Sequence, residues 1–307
     1  MNRVFRKLLA AGIAGATLLS GASFAADKLP VVASFSILGD LVRVVGGERV
    51  SVTTLVGPDE DAHVFEPKPA DAKAIVQSRL LVVNGLGFEP WAQKLAKSAG
   101  YKGATVVASK GVKPRAMAGE AGHGDKGHAH AENDPHAWQN PGNVVVYARN
   151  ISAALSQADP AGSPVYQANT DAYVKELQAL DAWAGAQFAS IAADRRKVIT
   201  SHDAFGYFGA HYGIRFLAPQ GVSTDAEPSA KNVAQLIRQI QREKISAVFV
   251  ENMSNPKLLA QISKDAGVSV GQALYVDALS AAGGPADSYL KLMRHNVTQL
   301  AAGMKLN

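Results

Sequence analysis

Two rhythms of apolar and polar positions alternate along most of this chain. Short runs rich in Val, Ile and Leu predict strands at 30–34, 51–56, 79–84 and 104–108. Between them, apolar residues at three- and four-residue steps predict helices at 37–45, 69–77 and 90–98. The alternation returns after residue 195, with strands expected at 197–200, 214–217, 247–250 and 270–276. Helices are expected there at 204–212, 230–243 and 256–266. Strand–helix–strand repeats of this kind indicate βαβ units and parallel sheets.

The middle of the chain has a different texture. Residues 144–157 read as a helix that Asp159-Pro160-Ala161-Gly162 breaks. Residues 164–193 then read as one long helix, with Val174, Leu177, Leu180, Ala184, Phe188 and Ile191 at helical spacing. About thirty residues make a rod of about 45 Å at 1.5 Å per residue. The predicted class is α/β: two lobes, each a mostly parallel sheet flanked by helices, joined by a long rigid helix. The expected divisions are a leader at 1–25, a first lobe at 26–163, the linking helix at 164–193 and a second lobe at 194–307. A single larger domain is the alternative.

Two segments stand outside this pattern. Residues 117–133 are dominated by Gly, Ala and His, too poor in apolar residues to pack, and predict a loop. At the start, Arg3, Arg6 and Lys7 precede an uncharged apolar run from Leu8 to Leu19, then Ser23-Phe24-Ala25. That is the layout of a cleaved secretory signal peptide. The run is shorter than the roughly 20 residues a membrane span requires.

Composition changes the picture in two ways. The chain carries a formal charge of +5, but the leader holds three of its 31 Lys+Arg and none of its 26 Asp+Glu. The remainder has 28 basic against 26 acidic residues, and no basic stripe interleaved with aromatics, so nucleic acid is not an expected partner. There is no cysteine among the 307 residues. Disulfides, thiolate metal ligands and a lipid-bearing cysteine are therefore excluded in this sequence. The expected location is the periplasm, as a soluble protein without a lipid anchor.

Candidate chemistry centres on histidine. His63 lies in a turn-rich loop after strand 51–56, His202 directly after strand 197–200, and Asp277 after strand 270–276. His136 sits in NDPHAWQNP at the end of the loop region. Three of the four follow the carboxyl end of a strand, where open α/β sheets place ligands. Both lobes contribute, so the residues could meet in a cleft between them. Three imidazoles and one carboxylate suit tetrahedral Zn²⁺ and suit Ca²⁺ or Mg²⁺ poorly. His123, His128 and His130 form a possible secondary metal-collecting group in the loop. Glu60, Asp61 and Glu66 could orient the His63 ring or attract cations but read as solvated. His211 reads as helix surface and His295 as structural, while Glu251 ends a strand, could line the cleft and has no assigned role.

The strings GPDEDAHVFEPKPAD, DPHAW, TSHDAFGYFGAHYGI, YVDALS and NPKLLAQISKDAGV resemble the metal-binding subunits of bacterial ABC importers for zinc and manganese. The resemblance runs from about residue 30 to the C-terminus. It implies two α/β lobes on a rigid helix, and metal ligands at His63, His136, His202 and Asp277. Zinc-type members resemble this chain in having His followed by Asp-Ala at the third position, where manganese-type members commonly have Glu. Ala62 and Asn140 depart from the residues usual there. The implied function is high-affinity capture of one Zn²⁺ as cargo and delivery to a permease in the inner membrane. A monomer is implied, with a periplasmic zinc chaperone as a further candidate partner.

Other functions compete with this one. Manganese or iron binding on the same scaffold differs at the residue 202 ligand. A zinc buffer without a transporter would share the whole site. A secreted zinc hydrolase would keep an open coordination position and commonly pairs ligands as HExxH. No HExxH occurs here, and a fourth protein ligand takes the place of activated water, so the chain is not expected to be an enzyme.

Overall fold

The computed structural model describes residues 27–116, 133–225 and 227–307. The leader and the loop histidines His123, His128 and His130 lie outside the described residues. Four parallel strands form the first sheet, β1 Leu29–Phe35, β2 Val50–Val56, β3 Leu80–Val83 and β4 Ala104–Val107, in the order β2-β1-β3-β4. Residues 31–35 of β1 and all of β3 are buried, which is why both read as unbroken apolar runs. β2 is an edge strand, so Ser51 and Thr53 face solvent while Leu55 and Val56 are buried.

Helices α1 Ser36–Gly46, α2 Pro69–Gln77 and α3 Pro90–Ser98 connect these strands. A proline in the first turn of α2 and of α3 sets each start, where its missing N–H costs no helical bond. Helix α4 Pro141–Ala158 is capped by the Asn140 side chain, which accepts from Gly142 N at 2.8 Å. The long helix α5 Ser163–Ala189 has 27 residues, about 40 Å, and buries Tyr166, Tyr173, Leu177, Leu180, Ala184 and Phe188. It stops short of residue 193. The chain turns at Ser190, and Arg196 Nε donates to the Ile191 carbonyl at 2.9 Å, meeting an acceptor beyond the helix end.

The second half contains β5 Lys197–Ile199, α6 Gly206–Tyr212, β6 Arg215–Leu217, α7 Ala230–Glu243, α8 Lys257–Ala266 and α9 Tyr289–Met304. β5 and β6 pair in parallel. Beyond them the strands expected at 247–250 and 270–276 are irregular, joined by single parallel bridges Ile199↔Val248, Val248↔Val270 and Glu251↔Leu274. Side-chain amides explain the irregularity. Asn307 Oδ1 accepts from Ser246 N and Ala247 N, at 2.6 and 3.0 Å. Asn296 takes both backbone groups of Tyr275, accepting from its N–H at 3.0 Å and donating to its carbonyl at 2.5 Å. These groups have no need of a neighbouring strand.

One buried apolar cluster runs through both halves, from Phe35 and Trp138 to Phe208, Val276 and Leu300. Trp138 ties it together: its Nε1 donates to the Val276 carbonyl at 3.0 Å, and its own carbonyl accepts from Tyr289 Oη at 2.7 Å. The α/β class with helix-flanked parallel sheets is the one expected. Among the described residues no helix is long and apolar enough to cross a membrane.

Candidate metal centre

The four expected residues converge. His63 hangs on the loop that leaves β2, His136 precedes the short 3-10 turn Ala137–Gln139, and His202 follows β5. Asp277 follows the irregular strand bridged at Leu274. His136, His202 and Asp277 are fully buried, and the His63 side chain is 6% exposed. One ligand atom from each lies within 4.8 Å of all the others.

The individual separations carry more information. His136 Nε2 is 3.3 Å from His63 Nε2 and 3.4 Å from His202 Nε2. Asp277 Oδ2 lies 3.3 Å from His63 Nε2 and 3.2 Å from His202 Nε2, and Oδ1 lies 3.7 Å from His136 Nε2. A tetrahedron with metal–ligand bonds of about 2.0–2.1 Å has edges of about 3.3–3.4 Å. Four separations among the three Nε2 atoms and Asp277 Oδ2 match those edges, while Oδ1 stands farther out, 3.7 Å from His136 Nε2. Among the described residues, neither Asp277 oxygen has a hydrogen-bond partner, although both are buried. Orphaned carboxylate oxygens at 0% exposure are costly unless a cation or proton meets them.

Outer contacts orient two of the rings. His136 Nδ1 lies 2.9 Å from Asp134 Oδ1, which also accepts from His136 N at 3.0 Å. His202 Nδ1 lies 2.5 Å from Glu251 Oε2, while Oε1 accepts from Ser201 N and His202 N, both at 3.0 Å. A carboxylate accepts only, so each Nδ1 carries a proton outward, and each Nε2 is left as the atom that offers a lone pair to a cation once it is unprotonated. His63 is held differently. Asp61 Oδ1 accepts from its backbone N–H at 2.8 Å, and its ring stands edge-on to Phe88 at 4.8 Å.

Electrostatics follow from burial and proximity. Burial, the strongest single influence on His202, disfavours its imidazolium. The Glu251 and Asp277 carboxylates outweigh it and hold the pKa well above the ordinary imidazole range. Burial also pushes Asp277 toward the neutral acid, but the charges of His136 and His202 outweigh it and hold its carboxyl well below the usual range. The cage thus carries its own ion pair, and an entering cation has to displace the His202 proton.

Asp134 and Glu251 were not among the expected site residues. Asp134 had a local signal, since a carboxylate two residues before His136 can close an Asx turn onto it. Glu251 ends the strand expected at 247–250, where it could line the cleft, but nothing local tied it to the ring it orients, 49 residues away. Asp61 also departs from expectation: half-buried, it makes two hydrogen bonds instead of facing water. Glu66 is exposed as expected, and Glu60 closes a turn by accepting from Gly57 N at 2.7 Å. His211 lies apart from the cage, 2.7 Å from Asp181 on α5, and His295 donates to the Ala273 carbonyl at 2.8 Å. Ala62 is buried, and its carbonyl accepts from Trp91 Nε1 at 2.9 Å.

Comparison with known proteins bears on this arrangement. Residues 31–303 match the family described as ZnuA, zinc-uptake complex component A, periplasmic. The manganese-binding lipoprotein MntA of Halalkalibacterium halodurans is 33% identical over 285 residues, 93% of this chain and 91% of that protein. The iron ABC transporter substrate-binding lipoprotein MtsA of Streptococcus pyogenes is 31% identical over 284 residues, 91% of this chain and 89% of that protein. The solved structure of the periplasmic zinc-binding protein TroA from Treponema pallidum superposes with a TM-score of 0.82 at 26% identity, covering 90% of this chain and 99% of that one.

Proposed function

The chain belongs to the family of zinc-uptake complex component A, the periplasmic metal-binding subunits of ABC importers, and from that premise we propose that its own cargo is Zn²⁺. In this reading His63, His136, His202 and Asp277 hold one ion, which the protein delivers to the importer's membrane permease. The cage geometry carries the proposal: three imidazole nitrogens and a carboxylate oxygen stand 3.2–3.4 Å apart along four edges. Three nitrogen donors at tetrahedral spacing favour Zn²⁺ over harder ions that prefer oxygen and higher coordination numbers.

A second reading has its own observation. Both oxygens of Asp277 face the imidazoles and neither has a hydrogen-bond partner among the described residues. If both bind, the coordination number rises to five, which Mn²⁺ or Fe²⁺ accepts more readily. The relatives named for manganese and iron favour the same alternative. Metal analysis of protein purified without added metal decides between them, together with Zn²⁺ and Mn²⁺ titrations against a chelator of known affinity. Zinc in near-stoichiometric amount and a Zn²⁺/Mn²⁺ affinity ratio far above one support the zinc reading. Manganese or iron in the purified protein overturns it.

The proposed location is the periplasm, with the chain free of lipid. The two relatives above are named lipoproteins, but this sequence contains no cysteine to carry such an anchor. Mass spectrometry of the mature N-terminus after osmotic release tests this; a lipid-modified chain held in the membrane fraction refutes it.

A further inference from the structure

Among the described residues, the loop that carries His63 is fastened to the opposite half by side chains near the surface. Asp61 is the fastening. Its Oδ1 accepts from His63 N at 2.8 Å, and its Oδ2 accepts from Thr224 Oγ1 at 2.7 Å, across 163 residues of chain. Two further bonds cross nearby: Asp59 N donates to the Leu279 carbonyl at 2.9 Å, and Asn252 Nδ2 donates to Asp59 Oδ1 at 2.8 Å. Asp59 reaches them with φ at +56°, an arrangement that holds the loop in a sharp turn.

Behind this fastening lies a cavity of about 300 Å³ whose wall includes Asp61, Thr224, Met253 and Ser254. Two of its wall residues connect to the cage through hydrogen bonds. Asp61 leads to His63 in one bond, and Ser254 Oγ donates to Glu251 Oε2 at 3.1 Å, the oxygen that faces His202. His136 and Asp277, in contrast, sit in the shared core. Trp138 and Gln139, two and three residues after His136, both donate to the Val276 carbonyl directly before Asp277, at 3.0 and 3.1 Å. That side of the cage opens only if the core opens. The His63 loop opens if a few half-exposed hydrogen bonds break.

We propose that the Asp61–Thr224 hydrogen bond is a latch on the His63 loop, and that its breakage lets the bound ion leave through the adjoining cavity. Asp61 is a positioning residue: it acts through His63 and does not touch the ion. The proposal rests on the metal-capture reading above, and it concerns the rate of release more than the existence of the site.

The test is a stopped-flow chase, in which protein loaded with Zn²⁺ is mixed with excess chelator. Thr224→Val removes the hydroxyl and little else. Its release rate is expected to rise about tenfold, equivalent to about 1.4 kcal/mol, while the capture rate and the melting temperature of the metal-free protein stay near wild type. Thr224→Ser keeps the hydroxyl and should release at the wild-type rate. Asp61→Asn can still accept from His63 N and donate to Thr224, so it should also remain close to wild type, whereas Asp61→Ala should match or exceed Thr224→Val. Adding Thr224→Val to Asp61→Ala should accelerate release no further. Wild-type release from folded Thr224→Val overturns the latch. Failure of the wild-type protein to take up any divalent metal overturns the metal-capture reading itself. If Asp61→Ala does not fold, the two Thr224 variants decide the matter alone.

Discussion

Glu251→Gln isolates one hydrogen bond outside the cage. Glu251 is 2% exposed, and its four contacts leave no slack: Ser201 N, His202 N and Ser254 Oγ donate to it, and His202 Nδ1 faces it at 2.5 Å. In the Gln variant, an amide oxygen left on the two backbone donors turns the NH₂ toward Nδ1. Two donors then face each other unless the ring proton moves to Nε2, the atom that looks into the cage. If the amide flips, the NH₂ meets two backbone N–H groups and both bonds are lost. Either outcome disfavours a bound cation. Removing a partner that orients a metal-bound imidazole costs about 10–100-fold in metal affinity. A lost hydrogen bond to a charged group is worth about 1.5–3 kcal/mol.

These ranges overlap near 2 kcal/mol, so the expected loss of Zn²⁺ affinity is about thirtyfold. One effect opposes it. Without the carboxylate, His202 holds its proton less tightly and competes less with the metal. A dication, however, feels the missing negative charge about twice as strongly as a proton does, so the loss prevails. Chelator competition at pH 7.5 measures the affinity, and urea denaturation of the metal-free variant separates unfolding from binding. A loss under threefold in a folded variant would refute the claim that Glu251 sets the His202 tautomer.

Other consequences can be measured independently. Below the raised His202 pKa, log K for Zn²⁺ should climb with pH by about one unit per pH unit, since one proton leaves as the ion enters; a flat profile between pH 5.5 and 7 argues against it. In the metal-free protein, the His202 contribution to stability is full below its unfolded value near 6.5 and is lost as pH rises through the raised folded value. The Asp277 contribution is full above about 3.8 and is lost as pH falls through its lowered value, so urea midpoints in EDTA should decline on both sides of that window. Asn296→Leu strands the N–H and carbonyl of Tyr275, and should cost about 2–4 kcal/mol in denaturant unfolding, with an unchanged midpoint as the contrary result. His202→Glu replaces a nitrogen with an oxygen donor and should narrow the Zn²⁺/Mn²⁺ affinity ratio at least about tenfold, or about 1.4 kcal/mol, with His202→Ala as the control.

Much of the arrangement was legible because local chemistry and global fold agree. Helices α2, α3 and α7 have the bounds that spacing predicts, the first two because a proline opens each and the third because Ser229 caps it by accepting from Asn232 N. The convergence of His63, His136, His202 and Asp277 was legible for a similar reason, since three of them follow strand ends. What could not be read depended on partners distant in sequence. Nothing near Glu251 announces its hold on His202, and nothing near Asn296 announces that its amide stands in for a strand. The stop of α5 at Ala189 also escaped notice, because Ile191 continues the apolar spacing although the backbone has already turned.

Trp138 and the cluster around it join the two sheets through one apolar core. Sheets that share a core do not melt apart, and an ion seated at the seam stabilises both at once through linkage. Heat or denaturant should therefore meet one transition that moves as a whole with metal occupancy. The protein would register its cargo as a gain in cohesion over its full length, felt at the last turn of α9 as well as at His63. A receiving partner that probed only overall firmness could tell a loaded molecule from an empty one without touching the ion.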